Sequence, residues 1–130
     1  MMARIRSRDT KPEIATRSGV HALGIRFRKH AASLPGKPDL ANCKKRWAIF
    51  VHGCFWHSHA ECQLASNPKT NKGYWSAKLQ LNQERDREKL AALRDLGFRV
   101  LVIWECDARN EKRLLGILKR FFLGLSSRRN

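Results

Sequence analysis

The chain has 130 residues, and positive charge dominates its composition. Its 27 Lys and Arg outnumber 11 Asp and Glu, which gives a formal net charge of +16 at pH 7. Such a surface attracts polyanions, because neutralised phosphates release condensed counterions, so nucleic acid is the expected partner. A hydrophobic fraction of 42% argues against a disordered basic tail and is enough for one packed domain. Charge alone leaves open a ribosome-like or merely soluble basic protein.

Neither a membrane span nor an export signal is expected. No apolar run reaches the roughly 18–20 residues that a span needs, and no apolar stretch follows the arginines of residues 1–6. A cytoplasmic location follows as an expectation. The four cysteines are Cys43, Cys54, Cys62 and Cys106. In that compartment, metal binding or free thiols are favoured over disulfides.

Capping and turn signals organise the first third of the chain. Thr10 can cap a helix, with Pro12 in its first turn and Glu13 at the capping-box position, and Gly24 is its expected stop. A basic, half-apolar stretch over 25–30 precedes a turn over 34–38, where two prolines and a glycine disfavour regular structure.

Apolar periodicity predicts the remaining elements and one domain over 1–130, with an N-terminal arm over about 1–9. The predicted elements are a strand over 39–42, a hairpin loop over 42–45, a strand over 46–51, a long metal-organised loop over 53–73, a helix over 77–96, a strand over 98–104 that is buried on both faces, and an amphipathic helix over about 111–125. This order predicts an α/β fold in which helices cover a mixed sheet.

Three potential zinc ligands are clustered in the long loop. Cys54, His59 and Cys62 form a C-x4-H-x2-C pattern, and Cys106 follows the last predicted strand. A structural zinc ion takes four such ligands and would tie the loop to the end of the sheet. The alternative is that Cys106 is an ordinary buried thiol and that the other two cysteines are incidental. His57 is left over and is available for chemistry.

Four further residues form a candidate centre for phosphodiester hydrolysis. Asp39 begins a predicted strand, so its carboxylate lies at a sheet edge, where oxygen ligands can hold Mg²⁺. His52 and His57 flank the neighbouring strand end, where an imidazole can deprotonate water, and Glu13 can approach from the first helix. Turn formation by Asp39, capping by Glu13 and a satisfied buried imidazole at His52 are the alternatives. Only the joint pattern favours hydrolysis.

Several runs of sequence together resemble the very-short-patch-repair (Vsr) mismatch endonucleases. They are SRDT at 7–10, LPGKPD at 34–39, IFVHGCFWH at 49–57, ERD at 84–86, LGFRVL at 96–101 and VIWEC at 102–106. The resemblance extends from about residue 2 to residue 106, and HGCFWH is its most specific part. It implies the restriction-endonuclease-like α/β core of the PD-(D/E)XK superfamily.

The resemblance also implies roles for the candidate residues. Asp39 would bind Mg²⁺ with the main-chain carbonyl of Val51. His57 would be the general base, assisted by His52 and Glu13. The structural zinc ligands would be Cys54, His59, Cys62 and Cys106.

Aromatic residues of this family wedge into the base stack beside the mismatch. Phe55, Trp56 and Trp75 match them, and Met2 matches a methionine that enters from the other groove. A T:G pair stacks weakly, so opening it costs less than opening a matched pair. Ordinary core packing is the alternative for the aromatics.

The resemblance implies an enzyme that nicks the strand 5′ of the mispaired thymine in a T:G mismatch. Deamination of 5-methylcytosine would generate the mismatch, so a cytosine-5 methyltransferase is a functional partner. Lys69 and Lys72 are candidate phosphate contacts, and a monomer is expected because a mismatch lacks two-fold symmetry. The alternatives are a restriction-type or homing nuclease acting on matched DNA, and a non-catalytic zinc-stabilised DNA-binding module.

Overall fold

The computed structural model describes residues 10–31, 33–54 and 72–127. The elements in chain order are α1 (Lys11–Ala22), β1 (Arg28–Lys29), β2 (Leu40–Asn42), β3 (Trp47–His52), α2 (Lys72–Asp95), β4 (Arg99–Trp104), α3 (Glu105–Ala108) and α4 (Glu111–Ser127). Among the described residues, no helix has the length and apolar character to cross a membrane.

Local capping explains the bounds of α1. The Thr10 side chain accepts a hydrogen bond from the Glu13 N–H at 3.4 Å, and Pro12 occupies the first turn. Leu23 ends the helix, and Gly24 follows with a φ of 74°, a conformation that glycine adopts without steric cost. The predicted first helix is confirmed.

The four strands form one mixed sheet in the order β1-β2-β3-β4. β1 and β2 are antiparallel, and so are β2 and β3, with Leu40 opposite Ile49. β3 and β4 are parallel, from the pair Trp47–Arg99 to the pair His52–Trp104. The predicted mixed sheet with its hairpin over 42–45 is confirmed.

Side-chain alternation along β3 supplies two cores. Trp47 and Ile49 belong to a buried cluster with Val20 of α1 and Leu118 of α4. On the other face, Phe50 packs in a cluster with Leu93 of α2. Helices therefore cover both faces of the sheet, and this packing holds the strand ends in fixed positions.

Two sequence predictions on the C-terminal half are wrong in detail. The strand predicted over 98–104 was expected to be buried on both faces, but within β4 only Ile103 is buried. In the described sheet β4 pairs only with β3 and lies at an edge, where coverage is incomplete. The helix predicted over 77–96 begins earlier, at Lys72, so the last two residues of the predicted loop over 53–73 are helical.

Two short elements were not predicted. β1 contains only two residues, Arg28 and Lys29, both exposed, so no apolar alternation marks it. The single turn of α3 begins directly after β4, at Glu105. Both elements matter for function because they lie next to candidate site residues.

Candidate functional site

Glu13, His30 and Asp39 converge at one end of the sheet. One ligand atom from each side chain lies within 4.8 Å of those of the other two. The three residues come from the first turn of α1, the position after β1 and the position before β2. Two carboxylates and an imidazole at this spacing are a donor set that suits a divalent cation, so the residues present fit the predicted metal.

Pairing between β1 and β2 brings His30 to Asp39. Beyond the register pair Lys29–Leu40, the His30 N–H donates to the Asp39 carbonyl oxygen at 3.0 Å. The next N–H, of Ala31, donates to the Pro38 carbonyl oxygen at 3.1 Å. The antiparallel ladder thus continues past both strand ends and sets the two side chains beside each other.

A hydrogen bond from β3 orients the Asp39 carboxylate. Its Oδ2 atom accepts a hydrogen bond from the Val51 N–H at 2.7 Å. The turn before it requires glycine at Gly36, where φ is 75° and an added Cβ would lie 2.7 Å from Cβ of Lys89 on α2. A carboxylate held through one oxygen has a fixed orientation, which is a common property of metal ligands.

Glu13 reaches the cluster from the start of α1. The residue is 5% exposed, and its carboxylate lies with His30 and Asp39. Burying a carboxylate is costly unless it is hydrogen-bonded, paired or bound to a metal. Because a second carboxylate lies close by, a positive charge at this position would stabilise both.

His30 was not among the site residues predicted from the sequence. The residue ended a stretch interpreted only as basic and half-apolar, and β1 is too short to show periodicity. One signal could have indicated it. His30 directly follows β1, and β1 pairs with β2, which begins directly after Asp39.

His52 is not a member of the three-residue cluster. It is 6% exposed, and its ring packs edge-on against Trp104 with 5.2 Å between centroids. A second ring contact, tilted, is made with Phe50 at 6.0 Å. Since neighbouring side chains alternate along a strand, His52 faces the opposite side of the sheet from Val51. Its assisting role stays a prediction.

Cys54 and Cys106 lie at adjacent strand ends. Each follows by two residues the last register pair of the parallel strands β3 and β4. The Cys54 N–H donates to Oε1 of Glu105 at 3.3 Å. Cys54 is buried and Cys106 half-buried, and both are thiols rather than halves of a disulfide. Two thiols at the same end of a sheet fit the predicted zinc site.

The other predicted site residues are not described at the side-chain level. Those outside the described residues are Met2, Phe55, Trp56, His57, His59, Cys62 and Lys69. Lys72 and Trp75 belong to the first turns of α2. Their predicted roles stay predictions.

The described part of the chain also presents basic residues to solvent. Lys78, Arg85 and Arg87 are exposed on α2. Cys43 is exposed in the hairpin turn as a free thiol. The exposed cations fit a surface that contacts phosphates.

Comparisons with known proteins identify the family. A family model described as DNA mismatch endonuclease Vsr matches residues 1–64. The Type II nicking enzyme V.XorIIP of Xanthomonas oryzae pv. oryzae is 45% identical over 122 residues, which cover 91% of this chain and 89% of that protein. The DNA mismatch endonuclease Vsr of Escherichia coli is 43% identical over 113 residues, 87% of this chain and 72% of that enzyme. The Type II nicking enzyme V.NmeAIP of Neisseria meningitidis is 39% identical over 111 residues, 85% of this chain and 79% of that protein. By these similarities, the chain belongs to the DNA mismatch endonuclease Vsr family.

Proposed function

We propose that this protein is a Mg²⁺-dependent endonuclease that nicks duplex DNA 5′ of the mispaired thymine in a T:G mismatch. The observation that carries the proposal is the proximity of the Glu13 and Asp39 carboxylates at the sheet end, with Asp39 held by the Val51 N–H. Names of the relatives support the reaction and substrate class, since they include a mismatch endonuclease and nicking enzymes. Deamination of 5-methylcytosine would supply the thymine, which links the protein functionally to a cytosine-5 methyltransferase.

Asp39 and the main-chain carbonyl of Val51 would hold the Mg²⁺ ion. When bound, the ion would neutralise charge at the scissile phosphate and make the attacking water more acidic. His57 would accept the proton of that water as general base, and His52 and Glu13 would assist through water or phosphate contacts. Attack at phosphorus breaks its bond to the 3′ oxygen, which leaves a 3′-hydroxyl and a 5′-phosphate.

A structural zinc ion would stabilise the loop that carries His57. Cys54, His59, Cys62 and Cys106 would be its ligands, and four protein ligands leave no open position for catalysis. The adjacent positions of Cys54 and Cys106 beyond β3 and β4 support this assignment.

DNA would be held by charge and opened by stacking. Phosphate attraction follows from the net charge of +16, and because a mismatch has no two-fold symmetry, one copy of the chain suffices. Aromatic side chains inserted beside the mismatch would recover part of the unstacking cost. The residues proposed for these contacts are Met2, Phe55, Trp56, Lys69, Lys72 and Trp75.

Nicking of end-labelled duplexes tests the proposal directly. One duplex carries a T:G mismatch, its partner carries T:A at the same position, each strand has its own label, and the flanking sequence is randomised. The expected result is cleavage of the thymine strand only, in the mismatched duplex only, with Mg²⁺ and not with EDTA.

Two other outcomes would replace the proposal. Cleavage of the T:A duplex would favour a restriction-type or homing nuclease. Tight binding without cleavage in any flanking sequence would favour a zinc-stabilised DNA-binding module. Asp39→Asn protein is the matched control, because any contaminating nuclease would cleave equally in both preparations.

A further inference from the structure

His30 lies inside the cluster that holds the two candidate catalytic carboxylates. Its half-buried side chain places a ring nitrogen within 4.8 Å of a carboxylate oxygen of Glu13 and of Asp39. The His30 N–H donates to the Asp39 carbonyl oxygen at 3.0 Å, so both the backbone and the side chain of His30 lie beside Asp39. Its Nε2 atom is shielded from solvent.

His30 has an uncommon backbone conformation. Its φ of 48° lies in the left-handed region, which non-glycine residues adopt infrequently. Glycine adopts this conformation most readily, and histidine, like asparagine and aspartate, is enriched in it among the other residues. Lys37 and Arg46 adopt the same conformation, so what distinguishes His30 is the position of its imidazole beside the two carboxylates.

We propose that His30 is a second side-chain ligand, beside Asp39, of the divalent-metal site and shifts its preference from Mg²⁺ towards Mn²⁺. The inference rests on the proposed function, because it assumes that Asp39 holds the catalytic cation. Mg²⁺ prefers oxygen ligands and near-ideal octahedral geometry. An imidazole nitrogen is a softer donor that suits transition metals, whereas the Asp39 carboxylate suits either ion. A ligand set of one imidazole nitrogen, one carboxylate and one main-chain carbonyl therefore favours Mn²⁺ more than the same set without the nitrogen does.

Metal binding by zinc-loaded protein tests the preference without any activity measurement. Free Mn²⁺ is measured by electron paramagnetic resonance during titration, and Mg²⁺ is added as a competitor. In His30→Gln protein, Mn²⁺ affinity should fall by about tenfold or more. Mg²⁺ affinity should fall less, because glutamine offers an oxygen. The matched control is His21→Gln, which changes an exposed histidine of α1 and should bind both ions as the unchanged chain does.

Pulsed electron paramagnetic resonance tests the ligand itself. The Mn²⁺ spin echo should show modulation from an imidazole ¹⁴N nucleus, which should vanish in His30→Gln and persist in His21→Gln. The inference is overturned if the unchanged protein shows no ¹⁴N modulation, a result that does not depend on the folding of any variant. It is also overturned if the modulation survives in His30→Gln, or if that variant loses affinity for Mn²⁺ and Mg²⁺ equally.

Asp39→Asn separates this inference from the proposed function. Loss of Mn²⁺ binding in that variant, together with no ¹⁴N modulation in the unchanged chain, would retain the proposed metal site and reject His30 as a ligand. Unchanged Mn²⁺ binding in Asp39→Asn would reject the metal site itself, and the inference with it.

Discussion

The backbone N–H of Val51 lies 2.7 Å from Oδ2 of Asp39, so the carboxylate takes the place of a strand acceptor. β2 begins only at Leu40, one residue later, and the carbonyl oxygen of Pro38 is already engaged by the Ala31 N–H. The Asp39 side chain therefore accepts the hydrogen bond of a β3 N–H group at the point where the backbone hydrogen bonds between β2 and β3 have ended. The same contact that completes the sheet orients the residue on which the proposed chemistry depends.

Asp39→Asn should slow nicking severely while leaving the fold intact. The asparagine carbonyl can still accept from Val51, but the negative charge that would hold the cation is lost. Metal ions contribute several kcal/mol to such transition states, so the nicking rate should fall by roughly a thousandfold. Single-turnover nicking of the T:G duplex measures this. Asp95→Asn, an exposed change at the end of α2, should keep the full rate.

Asp39→Ala should lose stability as well as activity. It removes the acceptor of the Val51 N–H, and because this contact is only partly buried, the cost should lie near the lower end of the about 1–3 kcal/mol of an unsatisfied buried donor. Urea unfolding of the two Asp39 variants measures the difference, with Asp39→Asn the more stable. Equal stability of the two variants would show that the hydrogen bond does not stabilise the sheet end.

Cys106→Ser should lose the proposed zinc ion. A serine hydroxyl is a poor replacement for thiolate, and the remaining three ligands would no longer close the site. Zinc content by elemental analysis should fall from one ion per chain to well below one, with a lower melting temperature. Cys43→Ser changes an exposed thiol in the hairpin turn and should retain the ion. A full zinc content in Cys106→Ser would remove that residue from the ligand set.

Elements with local signals could be predicted from the sequence. The Thr10 cap and Pro12 mark the start of α1, and the apolar run over 46–51 identifies β3, because capping and apolar clustering act over a few residues. Asp39 could be placed at a strand start for the same reason.

The position of His30 could not be predicted, because it depends on strand register. Its approach to Asp39 follows from the pairing of β1 with β2, and the two exposed residues of β1 carry no pattern that specifies a partner. The exposure of β4 likewise depends on which strands pair, since an edge and a central strand can have the same apolar sequence. Both are properties of the assembled sheet rather than of any segment.

Leu118→Ala should destabilise the protein strongly. Leu118 of α4 is fully buried. Its Cδ1 atom lies 2.8 Å from the position that a Cβ on Gly19 of α1 would take, so the leucine packs directly against α1. Truncation of a buried leucine costs about 2–5 kcal/mol. Leu123→Ala, on the same helix but 67% exposed, should change stability by less than about 0.5 kcal/mol. Urea unfolding of both variants measures the contrast, and equal effects would contradict the observed packing.

Trp56→Ala should reduce preference for the mismatch rather than DNA binding as a whole. Stacking of an aromatic side chain on a base contributes about 1–3 kcal/mol, which corresponds to roughly a tenfold to hundredfold change in affinity. Binding to the T:A duplex comes mainly from phosphate attraction, so it should change little and should weaken steeply with salt. Equilibrium binding to T:G and T:A duplexes in EDTA measures both affinities at one salt concentration. Trp56→Phe keeps an aromatic face and should preserve most of the preference. An equal loss of affinity for both duplexes would mean that Trp56 supports the fold or sequence-independent DNA binding, and not the opening of the mismatch.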